Sequence, residues 1–135
     1  MAEKRIARGV RNNNPLNIRI GNDWKGEVAE NTDKVFEQFT EMKWGLRAAL
    51  IILRRYITKY KVNTIRQIVS RWAPETENAT RIYINFVSSH SGIDADKPIQ
   101  WSDVNSIVKI VRAMCVFESN FLPQPALVQE AMVEA

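Results

Sequence analysis

The chain has 135 residues, 45% of them hydrophobic and 25% charged, with a net charge of +4. That length fits one domain that buries a core without staples. A lone cysteine, Cys115, excludes an intrachain disulfide, and a lone histidine, His90, leaves no zinc-binding set, so neither metal nor cofactor is expected.

Residues 1–10 read as a flexible basic arm, and 11–135 as a single domain. The N-terminus has charges but no apolar stretch of the kind a signal peptide carries, so synthesis in the cytoplasm is expected. Any action elsewhere would follow release or assembly into a larger particle. Arg11 to Gly26 is dense in Asn and Gly, which is turn chemistry. It is interrupted by the alternating Ile18-Arg19-Ile20, and Val35 to Phe39 is a second short alternating run. A small β hairpin across 18–39 is predicted.

From Met42 the period changes. Leu46, Ala49, Leu50, Leu53, Ile57 and Tyr60 recur at helical spacing. This helix opens a stretch, residues 42–72, with eight basic and no acidic side chains. Such a run is either a solvated helix face or a footprint for a polyanion. The longest apolar run, Ala48 to Leu53, is far below the ~20 residues of a membrane span. Thr64 can cap a second helix ended by Pro74, and Asn78 or Thr80 a third, stopped by Gly92. Ser102 can cap a fourth, with Asp103 favouring its dipole, and Pro125 can open a fifth. The fold class expected is mainly α with a small β hairpin.

The fourth of these helices carries the most information. Its apolar stripe is Val104, Ile107, Val108, Val111, Met114 and Cys115. At ~100° per residue, Glu118 falls within about 40° of Val104 and Val111, on the buried face. A carboxylate there is costly unless paired or protonated, and both burial and the helix dipole raise its pKa. A carboxylic acid of that kind can protonate a glycosidic oxygen. Alternatively the last turn emerges into solvent, or Arg47 or Arg71 neutralises it.

Arg8-Gly9-Val10-Arg11-Asn12-Asn13-Asn14-Pro15-Leu16-Asn17-Ile18-Arg19 resembles the opening of lysozyme-like phage and prophage proteins. Trp24-Lys25-Gly26, Arg71-Trp72-Ala73-Pro74, Glu77-Asn78-Ala79-Thr80 and Tyr83 continue the likeness. That family includes peptidoglycan hydrolases and virion structural proteins, and usually has Gly where Leu16 stands. A more distant similarity to cell-wall glucosaminidases lies in Asn13 to Arg19, Trp24 to Gly26 and Ala79 to Tyr83. Their catalytic Glu precedes the Asn-rich segment, whereas Glu118 follows it here. The resemblance therefore implies a circularly permuted lysozyme-like fold that cleaves peptidoglycan glycan strands with Glu118 as general acid.

Under that resemblance Glu77 is the leading second carboxylate, ahead of Glu27 and Glu30. Asn12, Asn13, Asn14 and Asn17 would bind acetamido groups and hydroxyls, against a plain role in turns. Trp72 and Tyr83 would stack on sugar faces, against ordinary packing. The implied partners are peptidoglycan and other virion proteins, with a monomer favoured, and the implied place of action is the cell wall or the virion. The main rival is a non-catalytic virion or glycan-binding module. Nucleic acid is disfavoured, because no helix-turn-helix turn, RNP-like string or zinc spacing is present.

Overall fold

The computed structural model describes residues 6–135. The N-terminal part of the expected basic arm, residues 1–5, lies outside the described residues. Six helices form: α1 (Arg8–Arg11), α2 (Met42–Thr58), α3 (Ile65–Trp72), α4 (Glu77–Ser91), α5 (Val104–Ser119) and α6 (Pro125–Glu134).

The chain ends each helix by local chemistry. The Thr64 hydroxyl accepts from the Gln67 N–H at 3.1 Å, and Pro74 stops α3 soon after. The cap of α4 is Thr76, accepting from Ala79 N–H, rather than Asn78 or Thr80. The cap of α5 is Asp103, accepting from Ser106 N–H, rather than Ser102. Gly92 closes α4 and Asn120 closes α5, both in the left-handed region at φ 72° and 50°. Pro125 opens α6, where a missing N–H costs nothing.

Helix α5 is the centre of the core, with Ile107, Ile110, Val111, Met114 and Cys115 at most 1% exposed. It packs on α4 and α6, while α2 packs on α6, α3 on α4 and α1 on α5. Burying stripes from several helices against one central helix is what makes each individually marginal helix stable.

The predicted hairpin does not form. Among the described residues there is no strand, and only two isolated bridges, Arg19–Phe36 and Glu27–Phe39, cross the segment. The reason is that side chains take the backbone groups a ladder would use. The wholly buried Asn14 amide donates to the carbonyls of Ile18 (2.9 Å) and Glu37 (3.0 Å), and accepts from Ile18 N–H. Asp33 accepts from the N–H groups of Val35 and Phe36, and from Asn12 and Arg8. Residues 12–41 are thus an irregular, amide-braced segment, and the described residues are all-helical in their regular structure. A lysozyme-like fold needs a sheet beside its helices. The expectation of that fold, and of its circular permutation, is therefore corrected.

Candidate functional site

Glu118 stands on the last full turn of α5, and the next residues fasten this helix end to the Asn-rich segment. Ser119 Oγ donates to the carbonyl of Pro15 at 2.7 Å in a buried bond. Gly9 of α1 lies so close to Ser119 Oγ that a Cβ there would collide with it. The turn then carries Asn17 in the left-handed region, φ 53°, a conformation that Asn tolerates better than most side chains. Asn17 Nδ2 donates to Glu118 Oε1 at 3.2 Å, across 101 residues of sequence. From the other side the Tyr83 hydroxyl of α4 donates to Oε2 at 3.1 Å. Tyr83 is itself held by stacking on Phe117, with ring centroids 4.0 Å apart.

Burial raises the pKa of Glu118 above the ordinary carboxylate value. The two donors, Asn17 and Tyr83, pull it back down, and the negative charge of Glu75 pushes it up again. Among the described residues no cation pairs with it. Arg47 donates to the Glu134 carbonyl instead, and Arg71 lies over the rings of Tyr56 and Tyr60. Burial also raises the Tyr83 phenol, with the charge of Glu118 adding to the shift. Cys115, wholly buried, is pushed up in the same way and is an inert core thiol.

Three neighbouring hollows share lining residues and form one cleft, two of them lined by Glu118. The central one, about 400 Å³, is lined by Leu16, Asn17, Arg19, Phe36, Trp72, Ala73, Pro74, Glu75 and Glu118. An inner one of about 100 Å³ shares Ala73, Glu75 and Glu118, and adds Thr80, Tyr83 and Phe117. An outer one of about 260 Å³ shares Asn17, Arg19 and Trp72, and adds Asn22, Ile52 and Tyr56. Trp72 is the partition between the central and outer hollows. Its indole N–H donates to the Leu16 carbonyl at 3.1 Å, and Tyr56 meets it edge-on at 5.9 Å, so the ring is fixed in place.

Of the residues singled out in the sequence, Asn17, Trp72, Tyr83 and Glu118 come together in this cleft. Asn12, Asn13 and Asn14 do not reach it. Asn12 is bonded to Asp33 and Gln38, Asn13 to the Phe39 carbonyl, and Asn14 braces the segment beneath. Glu77 lies in the first turn of α4 and lines a fourth hollow, with Arg66 and Arg81, which meets the cleft at Pro74, Glu75 and Thr80. The carboxylate that shares the cleft with Glu118 is Glu75, which the sequence did not single out. It sits in the short α3–α4 connection, where no periodicity exists to place it. Arg19 was missed because it sits between Ile18 and Ile20, inside a run read as a strand. Among the described residues no three His, Cys, Asp or Glu side chains gather as a metal site, and no helix is long and apolar enough to cross a membrane.

No family model matches the chain. Over 97 residues it is 47% identical to Protein P5 of Pseudoalteromonas phage PM2, an alignment covering 69% of this chain and 61% of that protein. The chain thus spans about three-fifths of the length of this phage relative. The similarity is to a phage protein, and the all-helical fold of the described residues removes the architecture on which the lysozyme-like resemblance depended. Glycan cleavage is corrected with it. No sheet lobe is present among the described residues to set a second carboxylate across the cleft, and Glu77 faces elsewhere. The expectation of a hydrolase, transglycosylase or glucosaminidase does not stand.

Proposed function

We propose that this chain is a non-catalytic recognition protein that holds peptidoglycan glycan strands in the cleft around Trp72. On this reading it works at the cell wall, after release or as part of a virion. The supporting observation is the composition of the cleft. A fixed, half-buried indole stands beside a row of hydrogen-bonding groups formed by Asn17, Glu118 and Tyr83. Sugars offer an apolar C–H face to a flat ring and hydroxyl or acetamido groups to amides and carboxyls, so this pairing suits them. Three hollows in a row suit an extended chain better than a compact ligand. The similarity to a phage protein agrees with a life cycle that meets the bacterial wall.

Pelleting with purified insoluble peptidoglycan tests the reading. Trp72→Ala should weaken binding roughly two- to tenfold, on the scale of ~0.5–1.5 kcal/mol for losing a stacking ring. Trp72→Phe keeps a flat ring and should retain most of the binding, provided circular dichroism shows both variants folded. Undiminished binding by a folded Trp72→Ala protein would remove the cleft from consideration.

A further inference from the structure

The cleft is uneven in charge: its central hollow holds Arg19 together with Glu75 and Glu118, and its two ends differ. Its inner end presents Glu75 and Glu118 and no cation. Its outer end presents Arg19 and no carboxylate, and Arg71 adjoins it through Tyr56. Neither arginine is committed elsewhere. The ion pairs among the described residues are Arg8–Asp33, Lys25–Glu134 and Arg66–Asp96, and none involves Arg19 or Arg71. Among the described residues the Arg19 guanidinium has no ion-pair partner and lies over the Phe36 ring at 5.7 Å. Arg71 is held over the rings of Tyr56 and Tyr60, at 5.2 and 4.9 Å, which fixes its plane without neutralising it.

We infer that the ligand is an anionic glycan that lies in one direction, with an oxyanion substituent against Arg19 at the outer end and an uncharged, hydroxyl-bearing portion against Glu118. This rests on the glycan reading above and makes it more specific. An oxyanion placed at the inner end would face two carboxyl groups, whereas at the outer end it meets a planar donor fork suited to carboxylate or phosphate. Trp72 stands between the two ends, so the sugar that stacks on it would set the distance between the charged and uncharged parts of the ligand. Arg19 is therefore the specificity-determining residue, and Arg71 reinforces its field from behind Tyr56.

Titration calorimetry in ~0.05 M salt separates this inference from the reading it rests on. The probes are a neutral N-acetylglucosamine tetramer, a tetramer of alternating N-acetylglucosamine and glucuronic acid, and a glycerol phosphate oligomer of similar length. The expected result is that the neutral tetramer binds, and that an anionic probe binds about tenfold tighter, as one charge-assisted pair supplies. Preference for the uronic probe assigns a carboxylate, and preference for the phosphate probe assigns a phosphate. Arg19→Gln should abolish the preference, weakening the anionic probe at least several-fold more than it weakens the neutral tetramer, and Arg71→Gln should reduce it. Equal affinity for neutral and anionic probes, or a preference that survives Arg19→Gln, overturns the inference and spares the glycan reading. Failure of all three probes to bind overturns both.

Discussion

The Glu37 side chain is 4% exposed, and its Oε2 has no hydrogen-bond partner; nearby, Glu27 holds a buried Oε1 that also has none. Burial is the main cause that lifts Glu37 to about 7, and the neighbouring Glu27 carboxyl and the Asp23 charge add to it. The sign of the pH effect follows. Because its pKa is higher in the folded protein than in the unfolded chain, the folded state holds the extra proton. The stability linked to that proton is fully present below the unfolded value of about 4.5 and is lost as pH rises through about 7. Glu37→Gln keeps the shape and can donate to Glu27 Oε1 at every pH. Urea unfolding should therefore find the variant more stable than the parent at pH 8, by roughly 1–3 kcal/mol, and near parity at pH 4.5. A difference that does not change with pH would show that Glu37 has the same pKa in the folded protein and the unfolded chain. Glu118 differs in kind: it is also raised by burial, but it has two donors and opens on a cleft. That contrast separates a carboxyl that only loads the scaffold from one that a ligand can meet.

At the scale of elements, the helices were legible because their signals are local. Apolar spacing gave the stripe of α5, and Thr64, Gly92 and Pro125 marked ends by their own backbone chemistry. The 18–39 segment was misread for the opposite reason. Ile18 and Phe39 are buried but Ile20 and Val35 are exposed, so the alternation sets no single inward face, and beside a few backbone bonds several backbone groups pair with side chains fixed from outside the run. Nothing in Ile18-Arg19-Ile20 reveals that Asn14 and Asp33 will claim those groups. The Asn-rich string looked like a sugar-binding set, yet most of it is bracing. Gly45 of α2 is part of the same arrangement, since a Cβ there would collide with the Asn13 carbonyl. Asn14→Ala deletes three buried hydrogen bonds and leaves the Glu37 carbonyl and the Ile18 N–H without partners, while the Ile18 carbonyl keeps the Glu37 N–H. It should cost about 2–4 kcal/mol in chemical denaturation. Because residues 16–19 would lose their support, glycan binding should fall even where the helices persist by circular dichroism. A loss below ~1 kcal/mol would mean that water replaces the amide and that the segment is held by its apolar residues.

At the scale of the molecule, the sequence shows eight cations in residues 42–72 as one run, and the fold divides them by what each one touches. Arg47 reaches the end of α6, Arg66 pairs with Asp96, Arg54 lies over Trp101, and Arg71 lies over two tyrosines beside the cleft. Arg55 and Lys59 are exposed one turn apart on α2, and neither has a carboxylate partner among the described residues. They are the part of the run best placed to act at long range. Bacterial walls carry many carboxylates, so a protein of net charge +4 gathers on them before any specific fit is made. Arg55→Glu with Lys59→Glu takes the net charge to zero without touching the cleft. In ~0.02 M salt this double variant should pellet several-fold less with intact walls than the parent. Screening shortens the reach of these charges to ~10 Å at 0.1 M and further at higher salt, so the two proteins should converge near ~0.5 M. Binding of a short neutral oligosaccharide should be equal at every salt concentration, because it reports only the cleft. An equal loss on the short oligosaccharide would mean that α2 shapes the cleft directly. No loss on walls would leave Arg55 and Lys59 as a solvated helix face, and the attraction to the wall would then belong to Arg19 and Arg71 alone.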